Sequence, residues 1–130
     1  MTESFTSIPQ SKKLITLGLD PDTADMYWEK IVFDGAKSPF YTIQSGWINE
    51  EGNIRSWSIT ALLELIPGEI KIHKDYEGKY SASWNSPFEN ISDDDNRALD
   101  FYESKQYNGI IDALIELITY IIAKYPRYLT

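Results

Sequence analysis

Residues 110–123 read Ile110-Ile111-Asp112-Ala113-Leu114-Ile115-Glu116-Leu117-Ile118-Thr119-Tyr120-Ile121-Ile122-Ala123. Wound as a helix, this stretch is apolar almost all the way round. Its polar members Asp112, Glu116 and Thr119 are spaced four and three residues apart, so they stack into one narrow stripe. A helix with so little polar surface has to be covered on several sides by its own domain or by a partner. The spacing predicts a long, buried C-terminal helix, capped by Asn108 and stopping before Pro126; either the rest of the chain covers it and the polar stripe is its only wet edge, or an uncovered flank of it is the surface that binds a partner.

The rest of the chain has to supply the cover. Glu69–Asp75 and Lys79–Trp84 read as a β-hairpin, with Ile70 and Ile72 on one face, Tyr80, Ala82 and Trp84 on one face of the return strand, and Glu77-Gly78 in the turn. Residues 86–96 are polar and turn-rich. Residues 98–103 fit either a helical turn or an edge strand, and strand is the preferred reading. At the other end, Ser7 is placed to cap a helix over Pro9–Leu17, with Gly18 in the left-handed position after it and Leu19 folding back onto Leu14. Asp20-Pro21-Asp22 reads as the start of a second helix running to about Ile31.

Phe33–Pro39 is a loop, and Phe40–Ile48 alternates as a strand with Tyr41, Ile43 and Trp47 on one face. Ile54–Trp57 is a short returning strand. Ser58 caps a helix over Ile59–Ile66, with Trp57 and Leu62 as a hydrophobic staple. The whole is expected to be a single α+β domain over residues 1–130: a small antiparallel sheet packed on one face by helices, with residues 1–8 as a flexible tail.

Composition narrows the function. The formal net charge is −8, and no basic cluster exceeds Lys12-Lys13, which argues against direct contact with nucleic acid or an anionic membrane. The acidity serves either solubility or an acidic surface fitted to a basic groove. Cysteine is absent and His73 is the single histidine, so thiol chemistry and His-rich metal sites are excluded. No signal peptide is expected, the C-terminal apolar run is too short and too charged to span a bilayer, and a cytoplasmic protein follows. Asn90-Ile91-Ser92 matches the glycosylation pattern only by coincidence on that reading.

No metal or cofactor is expected. Asp93-Asp94-Asp95-Asn96 is the densest acidic run, but an EF-hand counted from Asp93 meets Arg97, Ala98 and Ser104 where an oxygen ligand, Gly and Glu are needed. A solvated turn or helix start explains it. His73 reads as a surface histidine. No nucleophile elbow, dinucleotide fingerprint or P-loop is present. Among Glu64, Asp112 and Glu116, the last two lie one turn apart as in some carboxylate metal sites, but the histidines of that pattern are missing. The stripe's exposure to solvent accounts for them.

Aromatics are abundant, with four Trp, nine Tyr and five Phe. Tyr41, Trp47, Trp57, Tyr80 and Trp84 fall on or beside strands, and Tyr120 lies on the last helix. They are either one face packed under helices or a binding surface for a protein or a sugar.

Three blocks carry a resemblance: Ser11-Lys12-Lys13-Leu14-Ile15 with Leu17-Gly18-Leu19, Pro21 and Thr23-Ala24-Asp25-Met26; Trp57-Ser58-Ile59-Thr60-Ala61-Leu62-Leu63-Glu64-Leu65-Ile66-Pro67; and Ile111-Asp112-Ala113-Leu114. Together they resemble small uncharacterised proteins carried by prophages and mobile elements of gut bacteria. The shared motifs are caps, staples and core stripes, so the resemblance implies an accessory role and carries over no catalytic residue. The expectation is a non-enzymatic protein-interaction module with a protein partner. Alternatives are an acidic inhibitor that mimics nucleic acid to block a defence protein, a small carboxylate-based hydrolase or sugar-binding protein, and a homo-oligomer.

Overall fold

The computed structural model describes residues 4–35, 38–91, 97–126 and 129. In chain order the elements are α1 (Ile8–Thr16), β1 (Met26–Ile31), β2 (Phe40–Ser45), β3 (Ile54–Ser56), α2 (Ile59–Leu65), β4 (Glu69–Lys74), β5 (Tyr80–Ile91), β6 (Arg97–Glu103) and α3 (Ile110–Lys124). The fold is α+β, and its strands form two three-stranded antiparallel sheets rather than one, ordered β2-β1-β3 and β4-β5-β6.

α3 is the hub. Ile111, Ala113, Leu114, Ile115, Leu117, Ile118 and Ile121 are buried along it. They meet Ala82 and Trp84 of β5, Ala61 and Leu62 of α2, Trp57, Ile66, and Leu14 and Leu19 at the end of α1. Each fully buried Leu or Ile contributes about 1.5–3 kcal/mol, so this interlayer is the main source of cohesion. The helix begins one residue later than Asn108 would set it. Gly109 is the N-cap and no side chain bonds the first turn.

The expected caps on α1 and α2 form. Ser7 and Gln10 make a reciprocal capping box at α1. Beyond α1, Gly18 takes φ 99°, and the Leu19 amide reaches back to the Leu14 carbonyl at 3.1 Å. Ser58 caps α2, and its own amide and hydroxyl donate to the Asp25 carboxylate.

The second helix expected from Asp20 to Ile31 is corrected. Asp20 does cap, through the Asp22 amide at 2.9 Å, but only a single 3-10 turn follows over Pro21–Thr23. The chain then straightens into β1, which is paired on both sides, with Trp28 opposite Ile43 and Ile54. Aromatic Tyr27 and Trp28 and β-branched Ile31 favour such a central strand, and pairing outweighed the local helix signal. The polar stretch 86–96 differs as well. β5 continues to Ile91 beside β6, with an irregularity between Asn85 and Glu89 that contains Pro87, a residue unable to donate to a ladder. Residues 98–103 are strand. The run Asp93-Asp94-Asp95-Asn96 lies outside the described residues.

The tail expected over residues 1–8 is docked from Ser4 onward. The Thr6 amide donates to the Trp57 carbonyl at 2.9 Å and the Ile59 amide to the Ser4 carbonyl at 3.0 Å. Thr6 is fully buried, and its hydroxyl joins Ser11 at 2.7 Å, Ser56 at 3.0 Å and the Trp57 amide at 3.0 Å. Its carbonyl accepts from the Trp28 indole at 3.0 Å.

Candidate functional site

Two places concentrate chemistry. The first is the seam where α3 lies against β6. There Asp112 of the polar stripe is exposed, while Glu116 and Thr119 are half-buried and engaged by the protein itself. Glu116 is half-buried and accepts from the Tyr102 and Tyr107 hydroxyls at 2.7 Å each, and from the Lys105 backbone amide at 3.1 Å. One turn earlier, Asp112 accepts from the Gln10 side-chain amide at 2.7 Å. Thr119 donates to the Ile115 carbonyl.

Beside this group, Asp100 of β6 accepts from Tyr120 and Lys124 at 2.8 Å and from Tyr125 at 3.2 Å. The rings of Tyr102 and Tyr120 stack 4.0 Å apart and link the two clusters.

The electrostatics follow from these bonds. Burial alone would raise the Glu116 carboxyl, but the bonds from Tyr102, Tyr107 and the Lys105 amide outweigh it and hold the group below the usual carboxylate range. The same carboxylate, helped by burial, pushes the Tyr102 and Tyr107 phenols up to about 12. Burial of Asp100 is likewise outweighed by its bonds from Lys124, Tyr120 and Tyr125, and the bond to Asp100 raises Lys124. A carboxylate kept ionised by three donors is a poor proton donor, so Glu116 is not suited to the acid half of a hydrolytic pair.

A recess of about 190 Å³ opens next to it, lined by Gln10, Lys13, Tyr107, Asp112, Ile115, Glu116 and Thr119. The Gln10, Tyr107 and Thr119 donors are directed at protein acceptors. Among the described residues, no three His, Asp or Glu side chains gather as a cation cage. His73 and Glu64 are exposed.

The second place is the outer end of the β1–β2 hairpin. Val32, Phe33 and Phe40 are 70%, 57% and 46% exposed. The two phenyl rings lie 5.1 Å apart, so they form one apolar cluster in water. The sequence placed Phe33 in a loop and Phe40 at a strand start without joining them. The available signal was Val32-Phe33 abutting the Asp34-Gly35 turn, where apolar side chains have no core to enter.

The six aromatics read as either packed core or a binding surface are dispersed. Trp57 and Trp84 are fully buried, so they are core and offer no surface. Their indoles donate to the Thr23 hydroxyl and the Pro67 carbonyl, which meets the need of a buried N–H. Tyr120 is half-buried in the α3–β6 seam. Tyr80 is half-buried where its backbone exchanges two bonds with Tyr107. Trp47 packs edge-on against Tyr27 at 5.7 Å beneath the Arg55 guanidinium at 4.0 Å. Tyr41 is half-buried on β2, opposite Lys30. Of the six, only Tyr41 lies on the hairpin strands next to Phe40, and Trp47 follows β2 at its far end.

The site and fold thus define a small α+β domain with a self-satisfied polar seam and an open apolar hairpin end. No protein-family model, curated protein or solved structure matches the chain.

Proposed function

We propose that this chain is a non-enzymatic protein-binding module, an accessory factor of a phage or other mobile element, acting in the cytoplasm through the β1–β2 hairpin. The observation that carries the reading is the exposed pair of Phe33 and Phe40 rings, with exposed Val32 adjacent in the chain. Grouped aromatic and aliphatic side chains in water are a cost to solubility that folding does not require, and such clusters mark association surfaces. The state of the α3–β6 seam supports the same reading, because its carboxylates and phenols are committed to holding β6 on the helix. The mobile-element setting rests on the sequence resemblance alone. Among the described residues no helix is long and apolar enough to cross a membrane.

The test is affinity capture from the encoding cell with the natural chain and with Phe33→Ser and Phe40→Ser, both exposed and expected to fold. A specific protein partner should be retained by the natural chain and lost by both variants. Identical recovery by all three would refute the hairpin as the binding surface.

A further inference from the structure

We infer that β2 pairs with the β2 of a second copy of this chain, antiparallel about a two-fold axis, giving one continuous six-stranded sheet across the dimer. This rests on the reading of the hairpin as an interaction surface and names what covers it.

β2 is an edge strand, bonded to β1 on one side only. Its other side presents the N–H and C=O groups of alternate residues, a template for a further strand. Natural edges are blunted by charge. β4, one edge of the other sheet, carries Glu69, Lys71, His73 and Lys74 and fits that rule. β2 reads Phe-Tyr-Thr-Ile-Gln-Ser and carries no charge at all. The charge-free run extends from Ser38 to Asn49, in a chain where charged residues make up 25%.

Charge constrains where such a pairing can run: two copies of net charge −8 repel each other, and a line free of charge keeps that cost low. β2 and its flanks provide one. The exposed apolar side chains then fix the direction. Val32, Phe33 and Phe40 lie at one end of the strand, and Ile48, 51% exposed, lies just past the other. A two-fold antiparallel pairing brings each Phe40 end to the partner's Ile48 end. One interface therefore meets both patches, the self-complementarity that an isologous dimer requires. Three outward residues per strand give about six inter-chain hydrogen bonds.

An interface of this size lies at the small end, so self-association with a Kd on the order of 10–100 μM is expected. Sedimentation equilibrium across about 1–500 μM, spanning that range, should show the mass rising from 15.0 kDa towards twice that value. Hydrogen exchange on the unmodified protein should show β2 amides gaining protection over the same range, while β4 amides do not. Thr42→Lys, near the two-fold axis, and the exposed Gln44→Lys should each weaken dimerisation tenfold or more with unchanged thermal melting.

A constant mass of one chain, with the outward-facing β2 amides gaining no protection at the highest concentration, would overturn the inference. So would a dimer indifferent to both lysines whose protection lies elsewhere. Those failures are separable from failure of the functional reading. A monomer that still loses its captured partner on Phe33→Ser keeps the hairpin as a binding surface and excludes only the second copy.

Discussion

Replacing Glu116 by Gln perturbs the α3–β6 seam with almost no change of shape. In the natural protein both carboxylate oxygens are used, Oε2 by Tyr102 and Oε1 by Tyr107 and the Lys105 amide. Bonds to a charged acceptor contribute about 1.5–3 kcal/mol each where water is excluded, against about 1 for neutral ones. Glutamine keeps an acceptor oxygen for Tyr107 and Lys105 and turns an amide N–H₂ towards Tyr102, whose hydroxyl can rotate to accept. The seam is half-buried, so water recovers part of the loss. The expected destabilisation is about 1–2 kcal/mol, or roughly 3–8 °C in Tm for a domain of this size.

The more diagnostic readout is spectroscopic. Tyr102 and Tyr107 are pushed up from 10.0 to about 12 in the natural protein, chiefly because both donate hydrogen bonds to the Glu116 carboxylate. In Glu116→Gln the charge is gone, and both should fall back towards 10. Difference absorbance of tyrosinate, recorded during an alkaline titration, should show two phenols moving to lower pH. If the variant's titration superimposes on the natural one while both proteins remain folded, the claim that this carboxylate organises the seam is refuted.

Three further outcomes follow from the same contacts. Because the folded-state pKa values of Tyr102 and Tyr107 are raised, their contribution is fully present below pH 10 and should be lost as pH rises from 10 through about 12, visible as a falling urea midpoint. Glu116 and Asp100 are depressed from 4.5 and 3.8, so their contribution should decline as pH falls below those values through the folded pKa; Glu116→Gln should flatten the Glu116 share of that acid limb, and an unchanged limb would count against the assignment. Thr6→Val keeps the volume but strands the Trp57 amide and the Ser11 hydroxyl in a buried setting, while Ser56 keeps its bond to the residue 6 carbonyl. It should cost about 1–3 kcal/mol in chemical denaturation, and a neutral result would show the Thr6 hydroxyl to be dispensable.

The parts of the fold that were legible before the structure are those where local chemistry and tertiary need agree. Ser7 and Ser58 cap the helices they precede, Gly18 and Leu19 close α1, and the β4–β5 hairpin pairs Ile70 with Trp84 and Ile72 with Ala82 as its alternation implied. The failures lie where a partner far away in sequence decided the conformation. Pro21 starts a turn that a helix could have continued, but Trp28 is claimed from both sides by Ile43 and Ile54. The stretch after Ser86 looks like loop until β6 arrives to pair with it.

The polar stripe of α3 was located correctly and Asp112 is exposed as expected, but Glu116 is half-buried against protein donors rather than left to solvent. Asp112 and Glu116 do share a face, but Gln10, Tyr102 and Tyr107 come from segments whose distance in space no spacing rule encodes.

The two sheets make a last comparison that bears on function. Both have an open edge, and the chain has enough charge to guard both. β4 has four titratable side chains in six residues, and the one large apolar side chain exposed on it, Ile72, is flanked by Lys71 and His73. β2 has no acidic or basic side chain, and the apolar residues at its two ends are among the most exposed in the molecule. An unguarded edge is an aggregation hazard unless something occupies it. Removing charge from one edge while concentrating it on the other is difficult to account for by solubility or folding, since either edge could have carried a lysine at little cost in stability. Occupation of β2 in the working state accounts for it directly. It also means that a single lysine on that strand should separate association from folding.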